Sequence, residues 1–222
     1  RSNVYAGNNT GVFPVNPLGE NCFIVGKTNF VNVVNGSNNV AIGIDCLRLN
    51  TTGESNIAVG KNVLSSNTTG TQNVAFGYQA LTSNMLGAAN IAIGYKALLN
   101  SNGGRNIAIG ALALDSNITG YNNIAIGDSA DVGSGALMNA IAIGVRSSVA
   151  ASNTCRIGGT TGTGDEVDLY VDGNITIKDD FPNFRIQSTT GAGGDFRWEV
   201  ANGVAYFYNQ GTGVYDIFVT AG

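Results

Sequence analysis

Apolar residues recur along the chain in short runs at a nearly constant spacing, and each run ends in a glycine. The typical run is an asparagine, an apolar residue, an alanine, a second apolar residue and the glycine, as in residues 56–60 and 90–94. The closing glycines are Gly26, Gly43, Gly60, Gly77, Gly94, Gly110, Gly127, Gly144 and Gly158. Six of the eight intervals between them are 17 residues long, and the other two are 16 and 14 residues. A fixed short period of this kind predicts a solenoid, in which one coil repeats and stacks on the next.

Each run is long enough for one short strand, whose successive side chains point to opposite faces. In the coil that begins at Asn56, the asparagine, alanine and glycine therefore share one face, whereas Ile57 and Val59 share the other. We expect the larger isoleucine and valine side chains to form the core of the coil. The alanine and glycine face is then smooth and small, which would let another surface approach it closely.

A second apolar pair follows each glycine after two variable residues, as in Val63-Leu64 and Ala80-Leu81, and predicts a second short strand. A Ser-Asn-x-x-Gly segment comes next, and its glycine lies ten residues after the first one in several coils: Gly36, Gly53, Gly70, Gly87, Gly104 and Gly120. Because asparagine and glycine tolerate positive φ, this segment predicts a tight return bend. Each coil would thus contain two strands and two turns.

Strands of neighbouring coils should pair in parallel, about 4.8 Å apart. The repeated asparagine is predicted to form a ladder of side-chain amides, each bonded to the amides above and below it. We assign a structural role to the repeat residues Asn39, Gly43, Asn56, Gly60, Asn73, Gly77, Asn90, Gly94, Asn106, Gly110, Asn123 and Gly127. The short interval between Gly94 and Gly110 places its missing residue after Gly104. The loss of the leucine pattern predicts a change of geometry near residue 128 and an end of the solenoid near residue 158.

A coil this thin buries little apolar surface by itself. We therefore expect three copies to pack around an axis with their small-residue faces inward, as a homotrimer. The pattern does not by itself distinguish a trimer from a dimer.

Composition changes after the solenoid, and the sequence predicts four regions in an all-β chain. These are a lead-in or cap over 1–20, the β-solenoid over 21–158, a Gly/Thr linker over 159–167 and a small antiparallel β domain over 168–222. Val200 to Val204 is a good hairpin signal. Aromatic residues concentrate in this last region, where a role in the core is favoured. Trp198, Tyr206 and Tyr208 are the candidates for ligand contact, because exposed aromatic rings stack on sugars.

Charge and composition narrow the function. The chain has a net charge of −4 and no basic cluster, which argues against nucleic acid as a partner. No run of about 20 apolar residues is present, so we expect no membrane insertion. Cys22, Cys46 and Cys155 do not form a disulfide framework and are expected to be small buried side chains. We expect no cofactor and no metal ion.

The units Asn73 to Leu81 and Asn90 to Leu98, each followed by a turn, resemble the repeats of two related groups of proteins. One group is the shaft of phage and large-virus tail fibres that carry a C-terminal endosialidase-type intramolecular chaperone. The other is the head of trimeric autotransporter adhesins, a left-handed parallel β-roll that usually has a 14-residue repeat. The 17-residue form is more similar to the fibre group, and Leu169 to Ile175 also resembles the segment that precedes such chaperones. The resemblance covers roughly residues 20–177.

The resemblance implies a structural and adhesive module of a viral or phage tail fibre, located on the virion or at a cell surface. Its partners would be two further copies and a host-surface glycan or protein. The first alternative is a bacterial trimeric autotransporter adhesin head. A polysaccharide depolymerase would need paired carboxylates, for which the closest groups in sequence are Asp165, Glu166 and Asp168, and Asp179 with Asp180. An acyltransferase β-helix would need a six-residue period and a histidine, which the chain lacks. Ice binding would need a regular threonine ladder. We therefore expect a protein that is not an enzyme.

Overall fold

The computed structural model of the chain describes residues 4–7, 20–28 and 36–159, together with the strands at 183–186, 196–201, 204–209 and 215–218. The chain divides into two units, Arg1–Val167 and Asp168–Gly222. No helix occurs among these residues.

The first unit is a parallel β-solenoid. Its strands are β1 (Val4–Ala6), β2 (Phe23–Lys27), β3 (Val40–Ile44), β4 (Ile57–Lys61), β5 (Val74–Phe76), β6 (Ile91–Ile93), β7 (Ile107–Ile109), β8 (Ile124–Ile126), β9 (Asp131–Val132), β10 (Ile141–Ile143), β11 (Ser148–Val149) and β12 (Cys155–Ile157). All of them except β9 and β11 form one ten-stranded sheet in chain order, and β9 pairs with β11 in a second sheet. The predicted all-β solenoid with coils of about 17 residues is confirmed.

Equivalent residues of successive coils pair with one another. Ala41 pairs with Ala58, and Gly43 pairs with Gly60, in a parallel register that the following coils continue. The sheet also includes β1, whose Val4 pairs with Phe23. In sequence, Asn3-Val4-Tyr5-Ala6-Gly7 thus follows the repeat pattern, with a tyrosine in place of the central alanine.

The core of the coil lies between the strand alanines and the leucines of the following turn. The alanines Ala41, Ala58, Ala75, Ala92, Ala108 and Ala125 are fully buried, and so are Leu47, Leu64, Leu81, Leu98 and Leu114. The isoleucine and valine side chains on either side of each alanine are instead half-buried or exposed. The expectation that they form the core is therefore wrong. Because a leucine already fills the interior of each coil, the facing strand position accommodates only a methyl group.

The leucines reach the core through an uncommon backbone conformation. Leu64 has a φ of 49° and Leu98 a φ of 51°, in the left-handed region that side chains other than glycine rarely adopt. This conformation breaks the alternation of a strand, so that the consecutive residues Val63 and Leu64 are both buried. The second strand predicted here is wrong for the coils of residues 39–127, although Leu64 N still donates to Ala80 O of the next coil at 3.1 Å. A second strand begins only at β9, which agrees with the change predicted near residue 128.

Two buried asparagines in each regular coil converge on one turn carbonyl. In the coil of residues 56–72, Asn56 Nδ2 and Asn67 Nδ2 donate to Gly70 O at 2.9 and 3.0 Å. The same arrangement recurs at the carbonyls of Gly53, Gly87 and Gly120. Every one of these asparagines is fully buried. Each coil is therefore closed across its interior by amide groups as well as by apolar contact.

The amide oxygens join one coil to the next. Asn56 N donates to Asn39 Oδ1 at 2.9 Å, and the same bond repeats down the solenoid as far as Ala140 N with Asn123 Oδ1. Direct amide-to-amide bonds of the predicted kind also occur, as between Asn73 Nδ2 and Asn56 Oδ1 at 3.2 Å. The ladder thus bonds to main-chain groups as well as to itself.

The second glycine of each coil is required by space and not by φ. A Cβ added at Gly70 would lie 2.5 Å from Gly87 O and would also contact Asn67 Oδ1. Among the glycines of the described residues, positive φ falls at the closing glycines, for example 138° at Gly60, and not at these second glycines. The predicted return bend is thus present, but neither its asparagine nor its glycine has a positive φ.

The 16-residue coil loses its residue before Gly103, and not after Gly104 as the spacing predicts. Gly103 O accepts from Asn90 Nδ2 at 2.9 Å, in the place where Gly87 O accepts from Asn73 Nδ2. Gly103 is therefore the second glycine of this coil.

A side chain replaces the acceptor that the shortened turn lacks. In the regular turn above it, Met85 O accepts from three consecutive main-chain N–H groups, of residues 68, 69 and 70. In the shortened turn, Asn102 Oδ1 accepts from Met85 N at 3.0 Å and from Leu86 N at 2.8 Å. The turn of the preceding coil thus keeps its hydrogen bonds although one residue is missing below it.

The second unit contains β13 (Asn183–Ile186), β14 (Phe196–Ala201), β15 (Val204–Asn209) and β16 (Tyr215–Phe218), which pair in antiparallel fashion in that order. The small antiparallel domain over 168–222 stays a prediction, because its side chains lie outside the described residues. Apart from Gly159, so does the predicted linker over 159–167.

We predict that Gly70→Ala lowers the free energy of unfolding by about 3 kcal/mol or more, because the added methyl group separates two stacked turns. Gly133→Ala is the matched control, since a Cβ there would meet no atom closer than 3.4 Å. Chemical denaturation of both variants measures the difference. Equal stability of the two variants would contradict the close stacking of the turns.

Candidate interaction face

The outward face of the solenoid sheet carries a continuous row of apolar side chains, which we call the apolar ladder. It consists of two residues from each of seven strands: Val40, Ile42, Ile57, Val59, Val74, Phe76, Ile91, Ile93, Ile107, Ile109, Ile124, Ile126, Ile141 and Ile143. These side chains are half-buried or exposed, and 40% of Ile93 and 37% of Ile109 are accessible to solvent. No charged residue occurs among them.

The pairing of the strands makes this row continuous. Ile91 pairs with Ile107 and Ile93 with Ile109, so that each apolar residue lies directly beside its equivalent in the next coil. Since the asparagine and alanine of each strand point inward, only the isoleucine, valine or phenylalanine can point outward. Contiguous exposed apolar surface typically marks a site of interaction with another protein, a membrane or a ligand. The ladder can bury itself against a second apolar surface, and it offers no group for acid–base chemistry.

The constant size of one strand position is the feature of the sequence that indicates this face. The central strand position is alanine in seven successive coils, from Ala41 to Ala142, whereas its two neighbours vary among valine, isoleucine and phenylalanine. A position that accepts one small side chain is typical of a tightly packed interior. The neighbouring positions vary in size because they face outward.

The repeat residues predicted to be structural lie inside the solenoid and at its bends. The six asparagines Asn39, Asn56, Asn73, Asn90, Asn106 and Asn123 are fully buried. The six glycines Gly43, Gly60, Gly77, Gly94, Gly110 and Gly127 have φ between 125° and 140°, and each follows the second ladder residue of its coil. None of these twelve residues contributes a side chain to the exposed face.

The three candidate ligand contacts lie in the second unit, where the structure describes the backbone of their strands. Trp198 of β14 pairs with Phe207, whereas Tyr206 of β15 pairs with Glu199. Tyr206 and Tyr208 therefore share one register of alternate positions along β15. Trp198 belongs to the other register, that of Phe207. Their role in ligand binding stays a prediction.

The three cysteines have two different environments. Cys22 and Cys46 are buried, as expected, and burial raises the pKa of the Cys46 thiol to about 11 and also raises the pKa of the Cys22 thiol. Cys155 is exposed, so the prediction that it is buried is wrong. The reason is its register: Cys155 pairs with Ile141 and therefore occupies an outward position of the ladder face in the last strand.

Asp131 is the carboxyl group that the fold perturbs most clearly. Its main-chain N donates to Ser147 O, so it holds the place that leucine holds in the preceding coils. Burial raises the pKa of Asp131 to about 6, a hydrogen bond from Ser116 opposes this shift, and the nearby Asp115 carboxylate adds to it. Asp131 Oδ1 is buried without a hydrogen-bond partner in the structure.

The described residues contain neither a metal-binding group nor a membrane-spanning helix. No three histidine, cysteine or acidic side chains come together there in a way that could hold a metal ion. No helix there is long and apolar enough to cross a membrane. The carboxylates proposed for a depolymerase at residues 165, 166, 168, 179 and 180 lie outside the described residues.

Comparison with known proteins gives no function for the chain. No known protein family matches the chain, and no curated protein is similar to it.

We predict that the wild-type chain loses stability as the pH rises from about 4 to about 6, and that Asp131→Asn abolishes this loss. The folded chain binds the Asp131 proton more tightly than the unfolded chain, so stability falls as pH rises through this window. Because the group stays partly exposed, we expect about one pKa unit to act on stability, which is roughly tenfold in the unfolding equilibrium constant at pH 7. Denaturation curves from pH 3 to pH 8 measure the effect.

Asp128→Asn is the control for this prediction, because Asp128 is an exposed carboxylate of the same coil. It should keep the slope of the wild-type chain. Parallel pH profiles for Asp131→Asn and the wild type would contradict the assignment.

Proposed function

We propose that the chain is a structural and adhesive module of a viral or phage tail fibre, which assembles as a homotrimer and contacts a host-surface glycan or protein. In this proposal the solenoid is the rigid part of the fibre and has no catalytic role. The proposal places the chain on the virion.

The apolar ladder is the observation that carries the proposal. Two apolar side chains from each of seven strands lie in register on one side of the sheet, without a charged residue among them. Burial of such a surface stabilises an assembly by roughly 25 cal/mol for each Å² that leaves water. Symmetric association also supports a long and thin chain that must stay rigid.

The face of association differs from the one that the sequence first suggests. The small alanines fill the interior of the coil, so the apolar ladder is the surface available to sister chains. The number three comes from the resemblance to tail-fibre shafts and adhesin heads, both of which are trimers.

We predict a particle of about 68 kDa in solution, three times the chain mass of 22.8 kDa. The double variant Ile93→Glu with Ile109→Glu should give single chains, because it would bury several charges at a three-fold axis. In a lone chain both glutamates can reach water, so the coil itself should stay folded. Light scattering after size exclusion measures the mass, and circular dichroism checks the fold.

Leu86→Glu is the matched control, since Leu86 is 60% exposed and lies at the turn, outside the ladder. It should remain trimeric. A wild-type chain that is monomeric or dimeric would sink the proposal, and a trimeric ladder variant would show that the face is assigned wrongly.

Cys155 gives a second test of the same face. A short bis-maleimide should join two of the three chains through Cys155, while the buried Cys22 and Cys46 stay unmodified. A denaturing gel should then show a band of twice the chain mass, which Cys155→Ser abolishes. No linked band from a sample of trimeric mass, in which a monofunctional maleimide does label Cys155, would contradict the proposed axis.

For host attachment, we predict that alanine at Trp198, Tyr206 or Tyr208 lowers the glycan-array signal about tenfold, since aromatic rings stack on sugars. Tyr121→Ala is the control, because Tyr121 is 46% exposed on the solenoid. Each variant is first compared with the wild type by mass and thermal melting. Unchanged binding by all three folded variants would remove this assignment.

A further inference from the structure

A stacked pair of tyrosines lies on the solenoid surface, in the column of residues that directly follow the closing glycines. We call this the post-glycine column, and its described members are Lys27, Ile44, Lys61, Tyr78, Tyr95, Ala111, Asp128, Val145 and Gly159. The ring centroids of Tyr78 and Tyr95 are 5.7 Å apart and the rings are inclined by 12°. Their exposed fractions are 41% and 47%. The pair is thus a stacked aromatic surface open to solvent.

The fold holds this pair in place but does not require it. Main-chain bonds fix the coils at this column: Lys96 N donates to Tyr78 O at 2.9 Å, and the next coil bonds to Tyr95 O at 2.8 Å. Elsewhere the same column carries aliphatic, cationic and anionic side chains. Since the coil accepts all of these, its packing does not explain two successive tyrosines.

Positive charge flanks the rings. Lys96 Nζ lies 5.1 Å from the centroid of the Tyr95 ring, within the range of a cation–π contact. Lys61 precedes Tyr78 in the column and is exposed, and its carbonyl accepts from Gln79 N at 2.9 Å. Neither ammonium group forms an ion pair with another described residue. A cationic and aromatic surface thus occurs on a chain whose net charge is −4.

The next member of the column is small. Ala111 follows Tyr95 one coil further along the solenoid, and the column reaches its first carboxylate after that, at Asp128. Within this column, the neighbour of Tyr95 on the side away from Tyr78 is therefore a methyl group and not a third large side chain.

We propose that Tyr78, Tyr95, Lys61 and Lys96 form a binding platform for an acidic glycan. The apolar C–H face of a sugar ring packs against the tyrosines, and its carboxylate or sulfate group binds the lysine ammonium groups. This inference rests on the adhesive role proposed above and names the class of ligand. It adds a site on the solenoid to the candidate contacts of the second unit.

The charges favour a glycan over nucleic acid as the polyanion. Nucleic acid binding draws on many phosphate contacts along a strand. Here two lysines stand in a chain that is acidic overall, which would repel a long polyphosphate. A single carboxylate or sulfate beside a stacked sugar needs no more than these two cations.

The test uses the full chain and biosensor surfaces that carry polysialic acid, heparin, neutral dextran or single-stranded oligothymidine. Polysialic acid presents carboxylates and heparin adds sulfates, so the two surfaces separate the possible sources of the anion. We expect binding to at least one of them that weakens as salt rises, and little binding to dextran or to the oligonucleotide.

Substitutions then assign the site. Tyr78→Ala with Tyr95→Ala should weaken binding about tenfold, and Ala111 indicates that alanine fits this column. Tyr78→Phe with Tyr95→Phe keeps the rings and should keep most of the affinity. Lys61→Gln with Lys96→Gln should weaken binding about tenfold and reduce its salt dependence.

Two controls match these changes in kind. Lys27→Gln removes a lysine of the same column whose described neighbour in the column is Ile44, and Tyr121→Ala removes an exposed tyrosine elsewhere on the solenoid. Both should bind like the wild type.

Several outcomes would overturn the platform: no binding to either acidic glycan, equal binding to dextran, tighter binding to the oligonucleotide, or full affinity after loss of both tyrosines. If binding instead depends on Trp198, Tyr206 or Tyr208 alone, the platform fails and the adhesive function stands. If the chain is not trimeric but binds through Tyr78 and Tyr95, the fibre assignment fails and the platform stands.

Discussion

The convergence of buried amides on the turn carbonyls is the constraint on which the solenoid depends. A regular coil encloses little more than an alanine, a second small or branched residue, a leucine and two asparagines. Apolar burial of this extent is too small to fix a coil that must close on itself. The asparagine Nδ2 groups close each coil on its own turn, and the Oδ1 groups accept from the next coil. Stability is therefore shared between neighbours, as in other solenoids.

Other unusual features follow from this narrow interior. The left-handed leucines turn two consecutive residues inward, which a strand could not do, at a conformational cost of about 1 to 2 kcal/mol each. The turn glycines have no Cβ because the carbonyl of the next turn and an asparagine oxygen occupy that space. Where a coil lacks one of its two asparagines, a hydrogen bond between coils is missing as well. Asn84 Oδ1 is buried without a partner, since the corresponding residue of the next coil is Ser101.

The period, the parallel register and the buried asparagine row could be predicted from sequence because they depend only on spacing. Which face of the strand points inward does not follow from spacing, because alternation defines two faces without ranking them. The ranking depends on Leu64 and its equivalents, whose left-handed φ has no signature in composition. The side chain at the alanine position has the same small size in seven successive coils. A position that accepts only a small side chain is packed in the interior, so this constancy indicates the inward face. Cys155 is exposed for the same reason: it lies on the strand face that points outward and not inward. The tyrosine stack needed the coordinates, because only the coil-to-coil spacing brings residues 78 and 95 together.

The shortened coil has a consequence for how such a surface can change. Since the Asn102 amide substitutes for a main-chain acceptor, a residue can be deleted at this corner while the coils on either side keep their alignment. The corner also carries Met85, Leu86 and Ile118, which are among the most exposed apolar residues described. The turn that tolerates a change of length is thus also the turn that exposes apolar side chains. The buried asparagine hydrogen bonds that hold successive coils together lie elsewhere, in the interior. A protein built in this way can alter its outline during evolution without rebuilding its interior.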